Sequence, residues 1–189
     1  GIDAAAAAGL KVKVNAVVRR GSNDHTALGL LEHFRGTPVI VRRIEYMDVG
    51  NRNEWRRDEV VPSSELLQQV AARWPVTPLA GSYHGEVATR YRYADGAGEI
   101  GFISSVSAPF CGDCTRARLS SEGVFYTCLF ATSGTDLRGA LRSGASDDEL
   151  ADLLRTAWTG REDRYSEQRE ALRQREQPLR KIEMHYIGG

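Results

Sequence analysis

"LKVKVNAVV" (residues 10–18), "HTALGLLEHFR" (25–35) and "PVIVRRIEYMDVG" (38–50) are the stretches whose reading decides the fold. The first sets Leu10, Val12, Val14 and Ala16 in alternation with Lys11, Lys13 and Asn15, the period of a strand. "GSND" (21–24) supplies turn and capping residues, and the second stretch spaces Leu28, Leu31 and Phe34 at helical intervals. The third is rich in β-branched residues and ends in a loop. Strand, helix and strand at this spacing predict a βαβ unit, a parallel pair joined by a crossover helix. Ligands of such folds gather at the carboxyl ends of the strands, where Arg42, Arg43, Glu45, Met47 and Asp48 stand.

Working outward, residues 2–8 read as a helix closed by Gly9. Because this helix leads straight into a strand and Gly1 is no initiator, the chain is expected to be a piece of a longer one. Beyond "GNRNEW" (50–55) the texture changes, and a domain boundary is expected near 50–62. "PSSELLQQVAARW" (62–74) is a helix with Ser63 or Ser64 as its cap, stopped by Pro75 and Pro78. Residues 87–93 and 99–106 flank "DGAGE" as a hairpin. Helices follow at 135–142 and 146–161, the second with Leu150, Leu153, Leu154, Ala157 and Trp158 on one face. The highly charged run 163–177 is expected to be solvated.

Composition bounds the function. The chain has 189 residues, 41% of them apolar, with 25 basic and 25 acidic side chains. A length of this order buries roughly 70% of the unfolded surface, so metal need not be the only source of stability. Zero net charge argues against a general nucleic-acid or membrane-surface binder. No apolar run approaches the ~20 residues that span a bilayer, and no secretory signal is visible. Three cysteines are an odd number, which disfavours a disulfide scaffold and favours metal-bound thiolates in a reducing cytoplasm.

All three cysteines fall in "PFCGDCTRARLSSEGVFYTCLF" (109–130). Cys111 and Cys114 share one tight turn that contains Gly112. The thirteen residues between Cys114 and Cys128 read as a hairpin that returns Cys128 to its origin. A two-residue turn at Glu122-Gly123 would pair Ala117 with Cys128 and send Arg116 and Arg118 to the opposite face. A three-residue turn at 121–123 with Gly123 left-handed pairs Arg116 with Cys128 and Arg118 with Tyr126 and puts both arginines on the cysteine face; glycine at the third position favours it. Structural zinc takes four ligands, and an incoming His84 would complete that set. A [4Fe–4S] cluster normally takes four cysteines, so three leave one iron open to a small ligand. Guanidinium groups recognise phosphates through planar, charge-assisted hydrogen bonds, and Lys13 and Arg42 on neighbouring strands add to one anion pocket. Solvated edge-strand arginines and packing cysteines are the plainer alternatives.

The segment "FCGDCTRARLSSEGVFYTCLF", the upstream "VKVNAVV" and "VRRIEYMDVG", and the terminal "IGG" together resemble the radical-SAM GTP 3',8-cyclase family of molybdenum cofactor biosynthesis. The resemblance runs along nearly the whole chain. It implies an α/β fold: the C-terminal part of an incomplete (βα) barrel at residues 1–55, and an α+β domain with antiparallel hairpins at 56–189. It implies that Cys111, Cys114 and Cys128 hold a [4Fe–4S] cluster whose open iron meets guanine, and that Lys13, Arg42, Arg116, Ala117 and Arg118 bind GTP. Met47 is implied to contact S-adenosylmethionine, and Gly188 and Gly189 to enter the active site. The family's second [4Fe–4S] cluster needs a C-x3-C-x2-C motif, which this sequence lacks, so the chain is expected to depend on a missing N-terminal barrel portion and to be inactive alone. Family members are commonly homodimers. A zinc-stabilised binding domain is the alternative; a sulfur-carrier tail ending in Gly-Gly leaves the cysteines without a purpose.

Overall fold

The computed structural model describes residues 1–174 and 179–187, and the chain forms two compact units. One comprises Gly1–Met47 with Trp55–Phe110; the other comprises Asp48–Glu54 with the chain from Cys111 onward. These limits differ from a cut at residue 55, because a strand near residue 100 returns to pair beside the βαβ unit.

In the first unit α1 (Ile2–Ala7) precedes β1 (Lys13–Val18), α2 (Ala27–Phe34) and β2 (Ile40–Glu45), then α3 (Ser63–Arg73), β3 (Val76–Leu79), β4 (Thr89–Tyr93) and β5 (Glu99–Ile103). The sheet runs β1-β2-β5-β4-β3. β1, β2 and β5 are parallel neighbours, whereas β5-β4 and β4-β3 are antiparallel. The βαβ unit and the β4–β5 hairpin are thus where the periodicity puts them. β3 is an addition, lying across "VTPL", where Pro75 and Pro78 signal only a stop to the helix. It is an edge strand, the place where Pro78 costs the ladder least.

Strand alternation divides the sheet into two faces. Val18, Val41, Tyr93, Ile100 and Phe102 are buried against Ala27 and Leu31 of α2 and Leu66 and Val70 of α3, forming the core. Lys13, Asn15, Arg42, Glu99 and Gly101 fall on the opposite face by register. Neither Ser63 nor Ser64 caps α3 with its side chain. The Ser63 N–H instead donates to Glu45 Oε1 at 2.8 Å, so a buried carboxylate from β2 serves the helix start.

The second unit carries an antiparallel sheet of β6 (Arg118–Leu119), β7 (Val124–Tyr126) and β8 (Thr135–Asp136), with α4 (Leu137–Arg142), α5 (Asp147–Thr159) and α6 (Tyr165–Arg173). Asp136 caps α4 through Gly139 N–H at 2.8 Å, and Ser146 with Glu149 forms a capping box on α5. Leu150, Leu154, Ala157 and Trp158 of α5 are half-buried while Leu153 is exposed, so its apolar stripe is narrower than expected. The run expected to be solvated contains α6, whose Tyr165 and Arg169 are buried. Charge there is gathered around a partner from another segment, which no local pattern reveals. Ile187 is 1% exposed and packs with Tyr126 and Ala131. Among the described residues no helix is long and apolar enough to cross a membrane. The fold class is α/β in the first unit and α+β with an antiparallel hairpin in the second.

Candidate functional site

The cysteine hairpin is built by local rules. Cys111–Asp113 form one 3-10 turn, and the Cys114 N–H donates to the Cys111 carbonyl at 3.3 Å. The loop between β6 and β7 is the three-residue one: Ser120 N–H donates to Val124 O at 3.0 Å and Gly123 N–H to Ser120 O at 2.9 Å. Gly123 has φ +76°, and a Cβ there would lie 2.6 Å from Cβ of Arg138, so glycine is required twice over. Arg118 pairs with Tyr126 as expected, but the ladder ends there, so the expected pairing of Arg116 with Cys128 is not part of it. Arg116 and Arg118 are half-buried while Ala117 and Leu119 are exposed. The alternation therefore turns both guanidinium side chains inward and Ala117 out.

The electrostatics tie these groups together. Burial pushes the Cys128 thiol up to about 11, against the Phe130 N–H that reaches its sulfur at 3.4 Å; Asp163, Cys111 and Cys114 add to the rise. Burial alone would raise Cys114 as well, but hydrogen bonds from Arg116 and the charges of Arg116 and Arg161 bring it below its ordinary value. Arg118 is lowered by burial and by Arg116, and is favoured by the Cys128 and Cys114 thiolates. All three cysteines are free and half-buried. No three His, Cys, Asp or Glu side chains among the described residues converge as a cage for a single metal ion.

The loop between α5 and α6 supplies residues that the sequence did not flag. Arg161 Nη2 donates to the Cys114 carbonyl at 2.6 Å, with its guanidinium 3.7 Å from the Trp158 ring centroid. A cavity of about 440 Å³ opens beside Cys111 and Gly112, walled by Arg161, Asp163 and Arg164. "TGREDR" carries no spacing signal that would have marked it.

In the first unit, Lys13 and Arg42 share the open face of the sheet. Asn15 pairs with Arg42, and Arg42 Nε donates to Asn15 Oδ1 at 2.8 Å. Gly101 lies opposite, and a Cβ there would come within 3.2 Å of Arg42 Cγ, so glycine leaves room for the arginine stem. Lys13 is exposed. Met47 packs partly buried against Trp55, Val60 and Val106. Gly188 and Gly189 lie outside the described residues.

Sequence reasoning placed Asp48 at a strand end and no further. It is 1% exposed and accepts from Tyr165 Oη at 2.5 Å, Arg169 Nε at 2.9 Å and Lys181 Nζ at 3.2 Å. Burial opposes its charge, but Tyr165, Lys181 and Arg169 hold its carboxyl below the ordinary carboxylate range. Burial raises the Tyr165 hydroxyl, reinforced by the hydrogen bond to Asp48. Burial also lowers Lys181, against the pull of Asp48, and the charges of Arg173 and Arg169 add to the lowering. Phe130 stacks on Tyr165 with ring centroids 4.3 Å apart, placing the network against the segment that follows Cys128.

Residues 39–167 match the family model described as Molybdenum Cofactor Synthesis C. The chain belongs to this family. Proteins named GTP 3',8-cyclase are similar over the whole chain: one from Xanthomonas campestris pv. campestris (strain 8004) is 53% identical over 190 residues, covering 100% of this chain and 55% of the relative. One from Synechococcus sp. (strain CC9605) is 47% identical over 194 residues, covering 100% and 54%. One from Staphylococcus aureus (strain MRSA252) is 44% identical over 189 residues, covering 100% and 56%. The chain thus spans about half the length of the curated relatives it matches. The Molybdenum Cofactor Synthesis C match takes in all three cysteines, Arg116, Arg118 and Arg42, but begins after Lys13.

Proposed function

We propose that this chain is the C-terminal, cluster-holding and substrate-holding portion of a GTP 3',8-cyclase, which converts GTP to 3',8-cyclo-7,8-dihydro-GTP with S-adenosylmethionine in molybdenum cofactor biosynthesis. The observation that carries the reading is the hairpin register: Arg118 opposite Tyr126, with Arg116 and Arg118 turned inward toward the cysteines. The names of the relatives support the reaction.

Three half-buried cysteines with guanidinium groups beside them fit a [4Fe–4S] cluster. Thiolate donors are what the cluster requires, and Arg116, Arg118 and Arg161 offset their gathered negative charge. A cluster of this kind places its sulfur ligands on different irons, so they need not converge as they would on one ion. The zinc-stabilised alternative would need His84 as a fourth ligand, and that residue is exposed. Bound to three cysteines, the cluster would supply one iron with an open position for the guanine base. The chain's own residues then orient the substrate: Arg116 and Arg118 make bidentate bonds to the triphosphate, and Ala117, whose side chain faces away from them, is assigned to GTP through its backbone; Lys13 and Arg42 of the first unit are assigned to GTP as well. Met47 is assigned to S-adenosylmethionine and Gly188 and Gly189 to the active-site tail. A second [4Fe–4S] cluster, a preceding barrel portion, homodimerisation and a cytoplasmic setting complete the proposal.

Replacing Arg116 and Arg118 together with alanine in the longer, reconstituted protein should weaken GTP binding by about 100-fold or more, at ~1.5–3 kcal/mol for each charged hydrogen-bonding group, while iron content stays unchanged. Unchanged GTP affinity would remove the substrate role from the hairpin.

A further inference from the structure

We propose that Asn51 is a positioning residue that sets the register of segment 181–187 against the cysteine-bearing hairpin. Its side-chain amide does the work of a strand neighbour. Nδ2 donates to the Lys181 carbonyl at 2.6 Å while Oδ1 accepts from the Lys181 N–H at 3.0 Å, the two bonds of a β-bridge made by one planar group. The Asn51 N–H and Nδ2 also donate to Glu183 Oε1, each at 3.0 Å. Gly50 lies beneath this contact in the left-handed backbone region that favours glycine. Its φ is +63°, and a Cβ there would sit 2.3 Å from Glu183 Oε2.

The segment is fixed from its other side as well. Ile182 N–H donates to the Ala131 carbonyl at 2.9 Å, three residues after Cys128. Ile187 is 1% exposed in a cluster with Tyr126 and Ala131, against which Cys128 and Ile182 pack. The Lys181 ammonium is bonded to Asp48. A slip of one residue would take Lys181 from Asp48, Ile182 from Ala131 and Ile187 from its cluster together. Asn51 is itself exposed, and the hairpin's own bonds do not involve it. Its replacement therefore loosens the segment without dismantling the cysteine site. An aspartate in its place would keep the acceptor and lose the donor, setting a carboxylate against Glu183. The catalytic consequence, which rests on the cyclase reading, is that Ile187 is held in the apolar cluster against which Cys128 packs.

Hydrogen–deuterium exchange of this chain tests the anchor without substrate or cluster. In Asn51→Ala and in Gly50→Ala, amides of 182–187 should exchange about tenfold faster, the effect of losing one or two net hydrogen bonds, while those of 124–126 stay as in the parent. Unchanged exchange at 182–187 in both variants overturns the proposal, and so does an equal rise at 124–126. In the longer reconstituted protein, Asn51→Ala should lower kcat with the KM for GTP and the cluster absorbance unchanged; full activity despite faster exchange would overturn the catalytic consequence. A parent protein that neither binds GTP nor turns it over would sink the cyclase reading, and the exchange pattern would still support the anchor.

Discussion

Glu45 and Asp48 stand three residues apart, each all but excluded from solvent, and each is made tolerable in a different way. Glu45 is held by neutral donors: the N–H groups of Ser63, Val106 and Ser107, each at 2.8 Å, and the Ser107 hydroxyl at 2.5 Å. Asp48 is held by Tyr165, Arg169 and Lys181, with Arg173 at 3.7 Å. Backbone donors fix geometry: Glu45 ties the end of β2 to the start of α3 and to the turn after β5. Charged donors recruit distant chain: Asp48 gathers α6 and the segment from Lys181. The first device draws only on uncharged groups. The second works only while every charge is present.

The largest break in this contrast comes from Asp48→Asn. It strands Arg169 and Lys181 in the interior and should destabilise the second unit by about 3–5 kcal/mol, read as a lowered urea midpoint. Because the folded fit lowers the Asp48 pKa, its contribution is fully present above the ordinary carboxylate range near ~4 and is lost as pH falls through the lower folded value. The gap between parent and variant should therefore be constant from neutral pH down to that range and close below it. A gap that does not narrow at all as pH falls below that range would mean the asparagine is losing shape and not charge. Glu45→Gln is the smaller change. It turns an amide NH2 toward N–H donors on one side and should cost about 1–3 kcal/mol, measured on the first unit. A larger loss than for Asp48→Asn would reverse the comparison.

The same contrast explains what was legible in the sequence. The βαβ unit was readable because alternation at Leu10–Ala16 and helical spacing at Leu28, Leu31 and Phe34 are local signals. The hairpin register was readable because one residue, Gly123, distinguishes a three-residue loop from a two-residue one. The boundary at 55 was not, because β5 pairs with β2 across more than fifty residues. Nor was α6: Tyr165 and Arg169 sit four apart on one helical face, yet in a run of charges that reads as solvated until Asp48 is brought to it. Arg161 and Asn51 were silent for the same reason, since each acts on the backbone of a remote residue. Of the candidate site, the cysteines and the inward arginines followed from spacing; their surroundings did not.

In the function proposed above, Cys111, Cys114 and Cys128 carry a cluster with one iron left open. Anaerobic reconstitution of the chain with iron and sulfide, with absorbance and metal content measured on parent and Cys128→Ala, tests it most directly. A broad visible absorption with about four irons per chain is expected, lost in Cys128→Ala. A colourless protein that retains stoichiometric zinc through the same treatment would contradict it.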